Sequence, residues 1–218
     1  MTPGWRAADA ARFHYQRRKM TANAQGLIAR IKERNADRKR ATDGGIHPRK
    51  PIAPVNAKAL QAAERAIGFK LPELLRAIYL KVGNGGFGPG YGIMGIKGGA
   101  RLDGCTLEKC YANMIKLETE NGTWRWPRQL LPLANYGCGM WSCVDCAYKK
   151  LPMILWDPNP LDDDLEGAAA RRNWAYSFWD QEKSLGTWLE GWLASEPEPE
   201  PKQPSKSWIN KRLRLTIR

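Results

Sequence analysis

Histidine is almost missing from this sequence. Of 218 residues only two are histidine, His14 and His47, and both lie within the first 50. Residues 51–195 therefore hold no imidazole, which excludes Ser/His and Cys/His nucleophilic pairs and histidine-ligated metals from any core built there. Long apolar runs are absent too, so no segment suits a transmembrane span. The N-terminus lacks the apolar stretch that a secretory signal needs, and a cytoplasmic location is expected. Five cysteines in such a chain are expected as reduced thiols rather than as a disulfide framework.

Acidic residues are scarce at the two ends. The formal net charge is +13; residues 1–50 carry 13 Lys and Arg against 4 Asp and Glu, residues 196–218 carry 6 against 3, and residues 51–195 carry 16 against 15. The imbalance belongs to the flanks, and the middle is nearly neutral. Residues 1–50 read as a basic arm and linker. A short helix is expected over residues 26–38, where Leu27, Ile28 and Ile31 make a weak apolar stripe with nothing longer to pack it onto a core. In residues 196–218, Glu196 to Pro201 alternates acid with proline, which removes backbone donors and favours an extended course. The closing stretch from Lys211 alternates basic and apolar residues as an edge strand does, and alone it is expected to be disordered. Basic tails of this kind also offer a rival reading, a grip on nucleic-acid phosphate.

The 145 residues from 51 to 195 are enough to bury about two thirds of their unfolded surface and form one domain. Asn56 is placed to cap a helix through Ile67 that Gly68 ends. Pro72 opens a second helix carrying Leu74, Leu75, Ile78, Tyr79 and Val82. The glycine-rich turn from Gly83 leads to a strand candidate, Tyr91 to Ile96, and Thr106 opens a third helix that Asn121-Gly122 closes. Short apolar runs at Leu131–Tyr136, Met140–Cys146, Met153–Trp156 and Trp174–Phe178 then have the spacing of an antiparallel meander. Asp180 is placed to cap a last helix with Leu185, Trp188, Leu189, Trp192 and Leu193. The expected fold is α+β: an antiparallel sheet of about four to six strands, helices packed mainly on one face, and disordered basic tails.

Leu71-Pro72, ten residues ahead of Gly83-Asn84-Gly85-Gly86, resembles the SUKH superfamily. This is the Smi/Knr-type domain of fungal cell-wall-synthesis regulators and bacterial toxin-immunity proteins. Glu64 and Ile67-Gly68, Leu131-Pro132-Leu133, Tyr136-Gly137-Cys138-Gly139, Val144-Asp145, Met153 to Asp157, and Ser177-Phe178 before Leu189 follow the same order over about residues 55–194. The resemblance implies a domain that binds another protein, often a toxin and frequently a nuclease, and performs no chemistry itself; neither cofactor nor membrane is implied. The five cysteines and the basic flanks stand outside the family pattern.

Within this frame the candidate site residues are few. Cys138-x4-Cys143-x2-Cys146 supplies three thiolates for a zinc site. Yet Cys143 and Cys146 sit in a strand-like run whose alternation turns residues three apart to opposite faces, so small buried side chains are the favoured reading. A catalytic cysteine lacks an activating neighbour, and the Gly83–Gly92 run lacks the Lys-Ser/Thr ending of a phosphate loop. Asp162-Asp163-Asp164 and Glu166 follow Trp156-Asp157. As a solvated loop they are unremarkable; as a partner surface they offer negative charge to a basic nuclease, with Trp156 as aromatic anchor. Trp124-Arg125-Trp126 stands apart as a pair that stacks on bases or fills a partner pocket if exposed, and packs in the core otherwise. The expected docking rim comprises Asn84, Gly85, Trp156, Asp157, Asp162, Asp163, Asp164 and Glu166.

Overall fold

The computed structural model describes residues 23–45, 47–116, 125–162 and 164–214. Helix α1 spans residues 23–36, α2 Ala57–Ile67, α3 Glu73–Lys81 and α4 Leu107–Lys116. Strands β1 (Leu130–Gly137), β2 (Met140–Asp145) and β3 (Met153–Trp156) follow, then α5 (Gly167–Tyr176), β4 (Phe178–Glu182), α6 (Leu185–Ala194) and α7 (Lys206–Leu213). The four strands pair in chain order as an antiparallel meander, so this is the α+β fold expected.

Local chemistry sets the boundaries. The Asn56 side chain accepts the Ala59 N–H at 2.9 Å, which satisfies one orphan donor of α2. Gly68, with φ of 89°, returns its N–H to Glu64. The Glu64 carboxylate then accepts the Leu71 N–H at 2.9 Å and pairs with Arg76, fixing the α2–α3 corner. Two expectations move. Tyr91–Ile96 forms no regular strand: it meets β1 only through the isolated Ile93–Ala134 bridge and the Tyr91 and Met94 N–H groups, which donate to the Asn135 and Leu133 carbonyls, because three of its bonds are spent closing the glycine loop on itself. Trp174 lies in a helix, α5, and the fourth strand begins later, at Phe178; the last helix is capped by Ser184 in a reciprocal pair with Thr187, and Asp180 is a strand residue.

Alternation along β2 and its register with β3 and β4 place Trp141, Cys143, Ile154, Trp156 and Phe178 on one face of the sheet. An aromatic cluster closes over it. Trp126 meets Trp156 edge to face at 5.2 Å, Trp174 meets Phe178 at 4.9 Å, and Trp208 lies 5.8 Å from Phe178.

The two flanks correct the expectation of unpacked tails, for the residues described. Leu27, Ile28 and Ile31 of α1 are buried in the same hydrophobic cluster as the sheet, and Ile31 is wholly enclosed. Arg34 lies 4.4 Å over the Trp192 ring and donates to the Trp192 carbonyl, while Arg30 pairs with Glu190, so α1 is held on α6. At the other end Lys206–Leu213 form α7, so the described part of the stretch from Lys211 is helical where an edge strand was expected, and α7 buries Trp208, Ile209 and Leu213; residues 215–218 of that stretch lie outside the described residues.

Candidate partner-docking site

The loop after β3 leaves the aromatic cluster and is pinned at both ends. The Asp157 N–H donates to the Ser177 carbonyl at 2.8 Å, and the Asp157 carboxylate accepts the Asn159 N–H at 2.9 Å. Asn159 also donates to the Cys138 carbonyl in the β1–β2 turn, at 3.1 Å. Further on, Asn173 of α5 clamps the loop from both sides: its oxygen accepts the Asp162 N–H at 2.9 Å and its amide nitrogen donates to the Pro160 carbonyl at 2.6 Å. Asp162 in turn accepts the Asp164 N–H at 3.0 Å. The exposed acids Asp162, Asp164 and Glu166 therefore stand on a loop whose backbone is tied at Pro160, Asp162 and Asp164 by these bonds.

The other expected rim residues are placed differently. Asp157 is half-buried, and Asp163 lies outside the described residues. Trp156 is enclosed between Trp126 and Trp174 and does not present an aromatic anchor. The reason is α5: once Trp174 is helical, its ring is delivered onto Trp156. Asn84 is buried too, its side-chain oxygen accepting the Ile96 N–H at 2.9 Å and its amide donating to the Ile96 carbonyl at 3.3 Å. Gly85 has φ of 80°, and a Cβ there would stand 2.5 Å from the Gly95 nitrogen. Both hold the glycine loop together and neither faces a partner. Trp126 packs in the core, donating its indole N–H to the Leu130 carbonyl at 2.7 Å; Trp124 is outside the described residues.

The exposed aromatic side chain that sequence reading missed is Tyr176. Its exposure of 55% makes it the one large hydrophobic side chain exposed among the described residues. It sits three residues beyond Asn173 on α5, on the same helix face as the clamp that orders the acidic loop. The signal was the Tyr itself, hidden because residues 174–178 read as a strand. Two exposed cations, Arg171 and Arg172, border the loop from the same helix.

The sequence profile of the SMI1 / KNR4 family (SUKH-1) matches residues 54–192. The chain belongs to the SUKH-1 family. Among curated proteins, none matches it. The matched SUKH-1 region runs from the approach to α2 into α6, so α1 and α7, both packed on its core, lie outside it.

The cysteines of this SUKH-1 domain do not converge. Cys143 is enclosed in β2 and Cys146 half-buried just beyond it, whereas Cys138 is exposed in the β1–β2 turn. Among the described residues no group of three or more His, Cys, Asp or Glu is arranged to hold a metal ion. Burial pushes the Cys110 and Cys146 thiols up to about 12 and Cys143 well above its ordinary range, so none of the three offers a thiolate near neutral pH. Alkylation of the native protein at pH 8 is expected to label Cys138 first and to spare Cys110, Cys143 and Cys146 until unfolding. Mass spectrometry showing rapid native labelling of Cys143 would contradict this packing.

Proposed function

We propose that this SUKH-1 domain is a non-enzymatic binding module that acts in the cytoplasm as an immunity protein, neutralising a cognate bacterial toxin by covering it. The observation that carries the reading is the pre-ordered acidic loop with an exposed tyrosine at its side. Asp157, Asp162, Asp163, Asp164 and Glu166 supply negative charge, and Tyr176 takes the anchoring part first given to Trp156. A nuclease toxin must itself be cationic where it grips nucleic acid, so an acidic surface speeds encounter and competes for the same groups. An aromatic side chain that is desolvated on binding then supplies much of the residence time. The lack of imidazole in residues 51–195 and the neutral, buried thiols support blockade rather than turnover as the means.

The test uses the toxin encoded by a reading frame adjacent to that of this chain. Alanine at Asp162, Asp164 and Glu166 together is expected to slow association about tenfold at low salt and to have little effect near 0.5 M salt. Tyr176→Ala is expected to leave association unchanged and to speed dissociation by a factor on the order of 30, about 2 kcal/mol. Stopped-flow mixing separates the two. Association that ignores both salt and the acids would remove the electrostatic part of the proposal, and unchanged dissociation would remove the anchor.

A further inference from the structure

The +13 net charge is not used by the acidic loop, and the folded C-terminal segment gives part of it a fixed place. Arg212 of α7 donates to the Arg128 carbonyl and to the Asp145 carboxylate, at the end of β2. One residue earlier, the Lys211 ammonium stands 5.1 Å from the Tyr148 ring centroid in the β2–β3 turn. The same turn carries Lys149 and Lys150, and Arg214 ends α7. Arg128, Lys149, Lys150, Lys211 and Arg214 are all exposed, and none of them forms an ion pair among the described residues. The acid in their midst, Asp145, is fully enclosed and taken by Arg212.

We infer that α7 and the β2–β3 turn form a docking face for the phosphate backbone of nucleic acid, separate from the acidic loop. Five cations that form no ion pair among the described residues, around one turn and one helix end, suit a uniformly charged polymer. A protein partner would need an apolar anchor that loses its water on contact, and among the described residues this face has none: Tyr148 is already covered by Lys211 and Arg212, and the exposed tyrosine belongs to α5. For the same reason no aromatic ring among the described residues of this face is free to stack on a base, so the face reads charge and not sequence. The packing of α7 sets the spacing of these cations in advance, which a loose basic tail does not do.

The experiment measures fluorescence anisotropy of a labelled DNA duplex of arbitrary sequence with the whole chain, between about 50 and 300 mM KCl. Each phosphate neutralised contributes a slope of about −0.9 to log K against log salt. Exchange of Lys149, Lys150 and Lys211 for glutamate (K149E/K150E/K211E) is expected to weaken binding at least tenfold at low salt and to flatten the slope by roughly 2 to 3. The charge-neutral K149Q/K150Q/K211Q protein should show a smaller loss of the same sign. Since all three side chains are exposed and only the Lys211 contact with the Tyr148 ring is lost, melting temperatures should fall by no more than a few degrees, and circular dichroism verifies this. Replacing Arg12, Arg17, Arg18 and Lys19 by glutamine should leave most of the binding in place. The inference is overturned if the duplex does not bind, if the triple variants bind as the parent does, or if only the N-terminal variant loses affinity. It is also overturned if poly-glutamate competes as well as DNA, charge for charge, because the face would then serve an acidic protein.

Discussion

Replacement of Arg212 by alanine is expected to remove about 3–5 kcal/mol of folding stability, the cost of stranding a buried charge. Asp145 has no exposed side-chain surface, and its carboxylate depends on the Arg212 fork at 2.9 and 3.0 Å, the Trp208 indole at 3.1 Å and the Ala147 N–H at 3.1 Å. Burial already holds this carboxyl above the ordinary carboxylate range despite the opposing guanidinium. Without Arg212 it rises further, and the native state then takes up a proton more readily than the unfolded chain does. The loss of stability is therefore full at neutral pH, where the group is ionised, and shrinks as pH falls through the raised native value. Urea titrations at pH 7 and pH 5 check both size and sign. A loss below about 1 kcal/mol, as for an exposed pair, or one that grows on acidification, would show that α7 is not held in this way.

Trp174→Ala is expected to cost a similar amount, about 3–5 kcal/mol, from lost transfer energy and the cavity left behind. Trp174 is completely enclosed and meets Phe178 at 4.9 Å and Trp156 at 6.3 Å, both edge to face. In a protein of this size the loss corresponds to a melting temperature lower by on the order of 10 °C. It has a functional consequence as well, since Asn173 of the same helix clamps the acidic loop at 2.9 and 2.6 Å. Hydrogen exchange should quicken at Asp162, whose N–H the clamp holds, more than at β1 or β2. If the loop keeps its protection while the protein loses stability, its order does not depend on α5.

Both residues sit where sequence reading fell short, and for the same physical reason. Periodicity and caps are local signals, so the α2 boundaries at Asn56 and Gly68 and the meander from β1 to β3 were legible residue by residue. Helix α5 was not. Its sequence, Gly-Ala-Ala-Ala-Arg-Arg-Asn-Trp-Ala-Tyr, has one large buried residue and no apolar stripe; the Ala and Arg run favours a helix by propensity, but the aromatic run from Trp174 read as a strand, and Trp174 packs between Trp156 and Phe178. Helix α7 was hidden by the period-two pattern from Lys211, while its burial rests on Trp208, Ile209 and Leu213 and on an aspartate 67 residues away in sequence. The acids of the loop after β3 were legible because charge on a loop after a strand needs no partner to be read. Whether Trp156 or Tyr176 faces outward was not, because it depends on what distant segments lay over the sheet.

A stoichiometric titration of toxin activity with this chain bears most directly on the proposal of blockade. The account predicts that toxin activity falls linearly to zero at one equivalent, and that combined replacement of Asp162, Asp164, Glu166 and Tyr176 by alanine abolishes the effect while the protein stays folded. Full inactivation by a small fraction of an equivalent would mean that the protein acts as a catalyst, and an unaltered titration with the quadruple variant would place the binding surface elsewhere; either result contradicts it.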